Sequence, residues 1–381
     1  MHISRRALLA GGAALSAAAA VPASTKHAAT ESRLGAARDI VKGLMAADEI
    51  PAFSIAVTRG DELLWAEAFG KANLELDVPA STMHRFRLGS VSKVFTATLA
   101  AQLAAKSVVD LEAPIGQYLP ELPEAHRATT LAQLLTHRGG IRHYIDRDDA
   151  VDTPGGPIDR RNYASNQDIL AIFINDPLIA RPGERVSYST FGYTLASLVI
   201  EAAANAPFLD LIQREIAAPL TLHSLSADAP RSIVPQRASG YVPATHAAWV
   251  RPHVEGKWAN APMNNPAYKW PGGGLLATPT DLARFGAAHL APGRLSGAAL
   301  KMLFTVQTEA TSQSPPLGLG WRINRDGKQR LRWHHAGGQD GCRASLVVYP
   351  EERLSIAFAT NLTGLPADTL GPSMKIADVF G

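Results

Sequence analysis

The chain has 381 residues, of which 46% are hydrophobic and only 19% charged, enough apolar content for a sizeable core and too much for wholesale disorder. Lys and Arg number 37 against 34 Asp and Glu, a net charge of +3 with no basic block on any segment, which argues against an electrostatic nucleic-acid interface. The single cysteine, Cys342, excludes an intramolecular disulfide and any cysteine-based zinc site.

Residues 1–23 read as an export signal. Arg5 and Arg6 precede an alanine- and glycine-rich apolar stretch of about fifteen residues, and small residues close it around Val21-Pro22-Ala23. The pattern is similar to a twin-arginine signal, and it is too short and too rich in Gly and Ala for a membrane span. No cysteine follows it to carry a lipid anchor, and no later apolar run is long enough to cross a bilayer. The expectation is a bacterial periplasmic or secreted protein with a mature chain of 24–381.

From there, 31–46 has helical periodicity, with Leu34, Ile40, Val41 and Leu44 on one side. Strands follow at 52–58, alternating around Phe53, Ile55 and Val57, and at 62–69, separated by the turn residues Arg59-Gly60-Asp61. The middle is mostly helical, at 92–106, 131–137, 166–174, 193–204, 208–216 and 280–289. Pro and Gly mark loops at 153–157 and 271–274. The end returns to strands, as two hairpin patterns at 320–324 with 329–334 and at 344–349 with 354–360. Strands at both ends with helices between imply an α+β fold. An antiparallel sheet is built from both chain ends (50–85 and 318–361) and flanked by helices, with a large helical lobe (90–310) inserted. The cleft between sheet and lobe is the expected site.

Three short motifs carry candidate chemistry. Ser90-Val91-Ser92-Lys93 opens a helical run. A serine there has its own N–H among the unpaired donors of the helix start, and Lys93 lies one turn on, able to take the hydroxyl proton if held neutral. Tyr188-Ser189-Thr190 places a phenol before another helix, and a tyrosine near a cation can serve as acid or base because positive neighbours favour phenolate. His335-Ala336-Gly337-Gly338 leaves a strand-like segment, and its glycines let substrate approach backbone N–H groups that would complete an oxyanion hole with that of Ser90. His137, His143, Asp146, Asp148 and Asp149 form a possible metal cluster on paper, but the loop-like composition favours a structural role. There is no His-Glu-x-x-His and no Gly-x-Ser-x-Gly. The glycines at 272–274 do not follow a strand in a nucleotide-binding pattern, so no cofactor and no metal are expected.

In this order the three motifs resemble the serine beta-lactamase and penicillin-binding-protein superfamily, most closely its class C branch with the related esterases and D-amino-acid peptidases. The resemblance extends to Phe86 through Thr96, to Leu134-Leu135-Thr136-His137-Arg138-Gly139-Gly140-Ile141, to Arg181-Pro182-Gly183, to Ala218-Pro219-Leu220, to Gly273-Gly274-Leu275 before Asp281-Leu282, and to 318–321. It implies an acyl-enzyme serine hydrolase. Ser90 would be the nucleophile and Lys93 its partner. Tyr188 would protonate the leaving group and activate water, and His335 would stand where many relatives have lysine. Ser90 and Gly338 would supply the oxyanion hole, with Gly337 and Thr190 beside the substrate. Thr190 replaces the usual asparagine that contacts the substrate's amide, and His335 is only partly charged at neutral pH. Both differences weaken the case for carboxylate-bearing beta-lactams, and His335 is left as the expected source of any anion preference. The expected partner is a small-molecule or peptide substrate, an ester or D-amino-acid-type peptide. The alternatives are a beta-lactamase, a D-alanyl-D-alanine carboxypeptidase, or a non-catalytic relative binding peptidoglycan or a protein partner. Specificity is expected from the loops at 142–161 and 247–270.

Overall fold

The computed structural model describes residues 23–153, 155–245, 256–312 and 314–381. Apart from its last residue, the expected export signal lies outside them, as does part of the 247–270 loop. Helix α1 (Ala23–Asp48) leads into strands β1 (Ala52–Arg59), β2 (Glu62–Asn73) and the short β3 (Val78–Pro79). Near the other end come β4 (Arg322–Arg325), β5 (Leu331–Gln339), β6 (Cys342–Tyr349) and β7 (Leu354–Thr360), then helix α5 (Gly371–Phe380). Between them lie α2 (Ser92–Ala105), α3 (Thr190–Ala204) and α4 (Pro279–Ala288), among shorter helical turns. The seven strands form one sheet in the order β3-β2-β1-β7-β6-β5-β4. The first and last strands are thus neighbours at its centre, paired antiparallel from Phe53↔Thr360 to Arg59↔Leu354.

The alternation seen in sequence decides how this sheet is covered. Phe53, Ile55 and Val57 of β1 and Ile356 and Phe358 of β7 point to one face, where α1 and α5 bury them with Val41, Ile376 and Phe380. The opposite face carries small residues, Ala52, Ala56, Ala357 and Ala359. Small side chains let α4 lie close against the sheet. A Cβ at Gly286 would fall 2.2 Å from the Ser355 hydroxyl, so only glycine fits there. On its far side α4 meets α2 through Phe285, whose ring stacks on Phe95 at 3.9 Å between centroids. Sheet, α4 and α2 are therefore one continuous core, and α2 carries the nucleophile motif at its start.

Several elements differ in extent from the sequence reading. α3 begins at Thr190, because the Ser189 hydroxyl caps it by accepting from the Gly192 N–H at 3.0 Å. The helix at Leu131–Leu135 ends before His137, whose φ of 59° is left-handed. Segment 271–274, read as loop, contains a helical turn, Trp270–Gly273. β5 continues to Gln339, so His335 does not leave the strand but lies within it. The β4 partner ends at His334↔Arg322, while β6 stays paired as far as Gln339↔Cys342. Among the described residues no single helix is long and apolar enough to cross a membrane. Phe285→Ala is expected to cost about 3–5 kcal/mol, by loss of burial and the cavity left against Phe95, read as a lowered midpoint in denaturant unfolding.

Candidate active site

Where β4 stops pairing, the edge of β5 meets the turn Gly89–Val91 that precedes α2. The approach is close. A Cβ on Gly337 would lie 2.0 Å from the Leu88 carbonyl oxygen and 2.9 Å from the Ser90 nitrogen. Gly89 has a φ of +49°, and a Cβ there would lie 2.6 Å from the Gly338 nitrogen. Glycine at both positions is what lets the nucleophile turn lie this close to the Gly337–Gly338 backbone.

Lys93 lies one helical turn beyond Ser90 and is completely buried. Its Nζ is 3.3 Å from Ser90 Oγ, and it donates to Thr190 Oγ1 at 3.2 Å and to the Gly272 carbonyl. The rings of Tyr188 and Tyr193 lie 4.8 and 5.3 Å from it. Among the described residues no carboxylate pairs with it. Burial, and then the positive charge of Arg322, hold its ammonium well below the usual lysine range, so the neutral amine is the resting form. A neutral amine has two N–H bonds and one lone pair. The N–H groups go to Thr190 and Gly272, and the lone pair is left for the Ser90 hydroxyl proton.

Tyr188 donates its hydroxyl to Ser90 Oγ at 2.6 Å. The Lys93 amine lies 4.8 Å from its ring and the Arg322 guanidinium 5.9 Å. The effect of Arg322 is outweighed by burial, which raises the phenol above its ordinary range, while the Ser90 bond and Arg322 oppose this in part. At rest Tyr188 is therefore a neutral donor and not the phenolate that cationic neighbours alone would favour. His137 packs against its ring at 4.4 Å and His143 meets it edge-on at 5.3 Å. Both histidines are held neutral, chiefly by burial and then by Lys93, His143 at about 4. His137 Nδ1 accepts from the Ser189 N–H at 3.2 Å. They wall the phenol. Asp148 explains part of the acidic run beside them, because it chelates Arg142 at 2.7 and 3.1 Å and Arg142 also bonds Asp176. Among the described residues no three His, Cys, Asp or Glu side chains converge as metal ligands.

His335 is 2% exposed and does not supply positive charge. Its Nδ1–H donates to the Ala336 carbonyl at 2.7 Å, and its Nε2 accepts from Arg322 Nη1 at 3.2 Å. Burial, Arg322 and Lys93 push it well below the usual histidine range, since a second cation beside a guanidinium is unfavourable. The anion preference expected of His335 passes to Arg322 on β4, which forms no ion pair among the described residues. Sequence reasoning missed Arg322. Only the hairpin register, which sets Arg322 opposite His334 and next to His335, makes it visible. Thr190 also differs from its expected place facing substrate. It is 3% exposed and its hydroxyl lies against Lys93. Beyond Tyr188, His335 and Arg322, a cavity of about 110 Å³ opens, closed by Val186, Leu317 and Ser314.

This arrangement, a serine hydrogen-bonded to a neutral buried lysine and a tyrosine at the edge of an antiparallel sheet, is that of one class of protein. The chain belongs to the Beta-lactamase family, which it matches over residues 37–379, a family of serine hydrolases. It is similar to the mitochondrial serine beta-lactamase-like protein LACTB of Bos taurus, with 25% identity covering 87% of this chain and 74% of that protein. It is also similar to penicillin-binding protein 4* of Bacillus subtilis, with 26% identity covering 81% and 67% respectively. In fold it resembles D-amino acid amidase from Ochrobactrum anthropi, with TM-score 0.78, 21% identity and coverage of 91% and 98%. The octameric penicillin-binding protein homologue from Pyrococcus abyssi superposes with TM-score 0.74, 20% identity and coverage of 91% and 76%.

Gly337→Ala is expected to push the nucleophile turn off β5 and slow labelling of Ser90 by a fluorophosphonate by about 10²-fold or more, the order lost with one oxyanion donor. Labelling at the wild-type rate would show that the turn and strand need not meet this closely.

Proposed function

We propose that the protein is an exported hydrolase that works through an acyl-enzyme on Ser90, with esters or D-amino-acid-type peptides as substrates. The observation that carries this reading is the continuous proton path Tyr188 Oη to Ser90 Oγ to Lys93 Nζ, at 2.6 and 3.3 Å, with the amine neutral at rest. In the first step Lys93 takes the Ser90 proton as Oγ bonds to the substrate carbonyl carbon. The oxyanion that forms is held by the Ser90 and Gly338 N–H groups. As the tetrahedral centre collapses, Tyr188 gives its proton to the leaving amine or alcohol, and the scissile bond breaks. The tyrosinate is stabilised for that moment by the Lys93 ammonium and by Arg322. In the second step it takes a proton from water, the hydroxide attacks the acyl carbonyl, and Ser90 recovers its proton from Lys93.

The unpaired Arg322, beside Tyr188 and at the wall of the cavity, supports a leaving group that carries a carboxylate, as the C-terminal residue of a peptide does. Thr190, turned to Lys93, offers no amide to the acyl side, which argues against acylamino beta-lactams as the preferred substrates. The fold shared with structures described as a D-stereospecific amidohydrolase and a D-amino acid amidase is consistent with D-amino-acid-type substrates. Export rests on the paired arginines and apolar run of residues 1–23.

A fluorophosphonate is expected to give one adduct, on Ser90, and Ser90→Ala to lose both the adduct and hydrolysis of short p-nitrophenyl esters. Equal hydrolysis by the two proteins would point to another centre. Activity needs Lys93 neutral and Tyr188 protonated. kcat/KM should therefore rise along an acid limb well below 10.5 and fall only above 10. Arg322 disfavours the Lys93 ammonium, so its removal lets Lys93 hold its proton to higher pH. In Arg322→Met the acid limb is expected to move to higher pH, read from the pH profile of kcat/KM.

A further inference from the structure

A substrate laid along the free edge of β5 extends in two directions from the Ser90 and Gly338 nitrogens. The proton donor to the leaving group, Tyr188, lies with Arg322 at the His335 end. The acyl part must then extend toward Gln339, four residues or about 13 Å further along the strand. At that end the structure holds a second buried lysine that the acyl-transfer steps do not use.

Lys269 closes the short helical turn Pro266–Lys269 and is 9% exposed. Its stem packs beside Gly273, close to the nucleophile turn. A Cβ on Gly273 would lie 3.6 Å from Lys269 Cδ and 3.8 Å from the carbonyl carbon of Gly89, the residue before the nucleophile. Among the described residues its Nζ makes no hydrogen bond and no ion pair. The Tyr268 and Tyr144 rings lie 5.4 and 5.9 Å away, and both phenols are held protonated by burial. The charges that reach it are Arg87 and, beyond ion-pairing distance, Asp159 and Asp340, with the Cys342 thiol of β6 close by. Burial lowers the amine to about 8, so it is still mostly charged at neutral pH. Cys342 pairs directly with Gln339, so these two side chains share a face. The Gln339 amide oxygen and nitrogen are both buried and have no hydrogen-bond partner. Cys342 thus links the two, since the charge of Lys269 is felt with it and Gln339 stands opposite it at the end of β5 beyond Gly338. Buried groups of this kind cost stability unless something pairs with them.

We propose that Lys269 is the specificity-determining residue of the acyl side, and that it selects acyl groups ending in a carboxylate, with Gln339 as a second donor. This rests on Ser90 being the acylated residue. The carboxylates nearby would instead favour a cationic acyl group if Lys269 were only their distant counter-ion, and the test separates the two.

The test compares kcat/KM for p-nitrophenyl esters of pentanoate, of glutarate as its monoester, and of 4-aminobutyrate. The glutarate ester is expected to exceed the pentanoate ester by at least about 10-fold, the scale of one buried charged hydrogen bond. Lys269→Met should bring that ratio near one, and Lys269→Arg should keep most of it. A structural defect would lower all three rates together and leave the ratio intact. Fastest turnover of the aminobutyrate ester, no preference in the wild type, or an unchanged ratio in Lys269→Met would overturn the proposal. A second readout does not depend on turnover. Ser90→Ala should bind glutarate in calorimetry, and Ser90→Ala with Lys269→Met should not. Binding that survives loss of Lys269, or no binding by Ser90→Ala, also overturns it. Glutarate bound through Lys269 in a protein that hydrolyses none of the esters would sink the acyl-enzyme reading and leave the subsite standing.

Discussion

Burial without a counter-ion weakens an amine's hold on its proton, and the arrangement around Ser90 is built on how far that goes at Lys93, where the charge of Arg322 adds to it. Lys93 is fully buried, has acceptors for two N–H bonds only, and lies in the field of Arg322. A carboxylate at bonding distance would restore the ammonium and remove the base. The surrounding architecture keeps one away. Lys93 meets backbone at Gly272, a hydroxyl at Thr190 and the faces of two tyrosines. Thr190 and both tyrosines come from around the start of α3 and Gly272 from the Trp270–Gly273 turn, so the state of one proton depends on the docking of α2, α3 and that turn together.

The same low-dielectric setting orders the rest of the site. Tyr188 remains a phenol because burial outweighs its cationic neighbour Arg322, and His137, His143 and His335 remain neutral chiefly because burial disfavours a charged imidazole. Three histidines therefore act through shape and hydrogen bonding and do not titrate near neutrality. Arg322 and Lys269 are two cations near Ser90 that form no ion pair among the described residues, and in the readings proposed above they would face the two halves of a substrate. A chain with a net charge of +3 can thus present cations to both halves of a substrate without a basic surface.

Much of this was legible in the sequence where the signal is local. The alternation of Phe53, Ile55 and Val57 placed a strand and its buried face, the Gly60 turn placed a hairpin, and the helical run after Ser90 put Lys93 one turn from it. The structure brings Ser90, Lys93, Tyr188, His335, Gly337 and Gly338, taken from the Ser-x-x-Lys, Tyr and His-x-Gly segments, close together. Arg322 and Lys269 were not legible. Neither belongs to a motif: the β4–β5 hairpin was expected but not the register that sets Arg322 opposite His334, and Lys269 owes its place to the packing of its stem beside Gly273 and Gly89.

By itself, the sequence determined most element types, the apolar face of β1, the membership of the nucleophile segment and the glycines before the oxyanion donors. These follow from side-chain period, volume and backbone freedom, all properties of neighbouring residues. Only the tertiary structure decided protonation and direction: that Lys93 is an amine, that Tyr188 is a phenol, that His335 is neutral with Arg322 holding the charge, and that Thr190 faces inward. These depend on burial and on charges from segments far apart in the chain, and neither exists until the chain has folded.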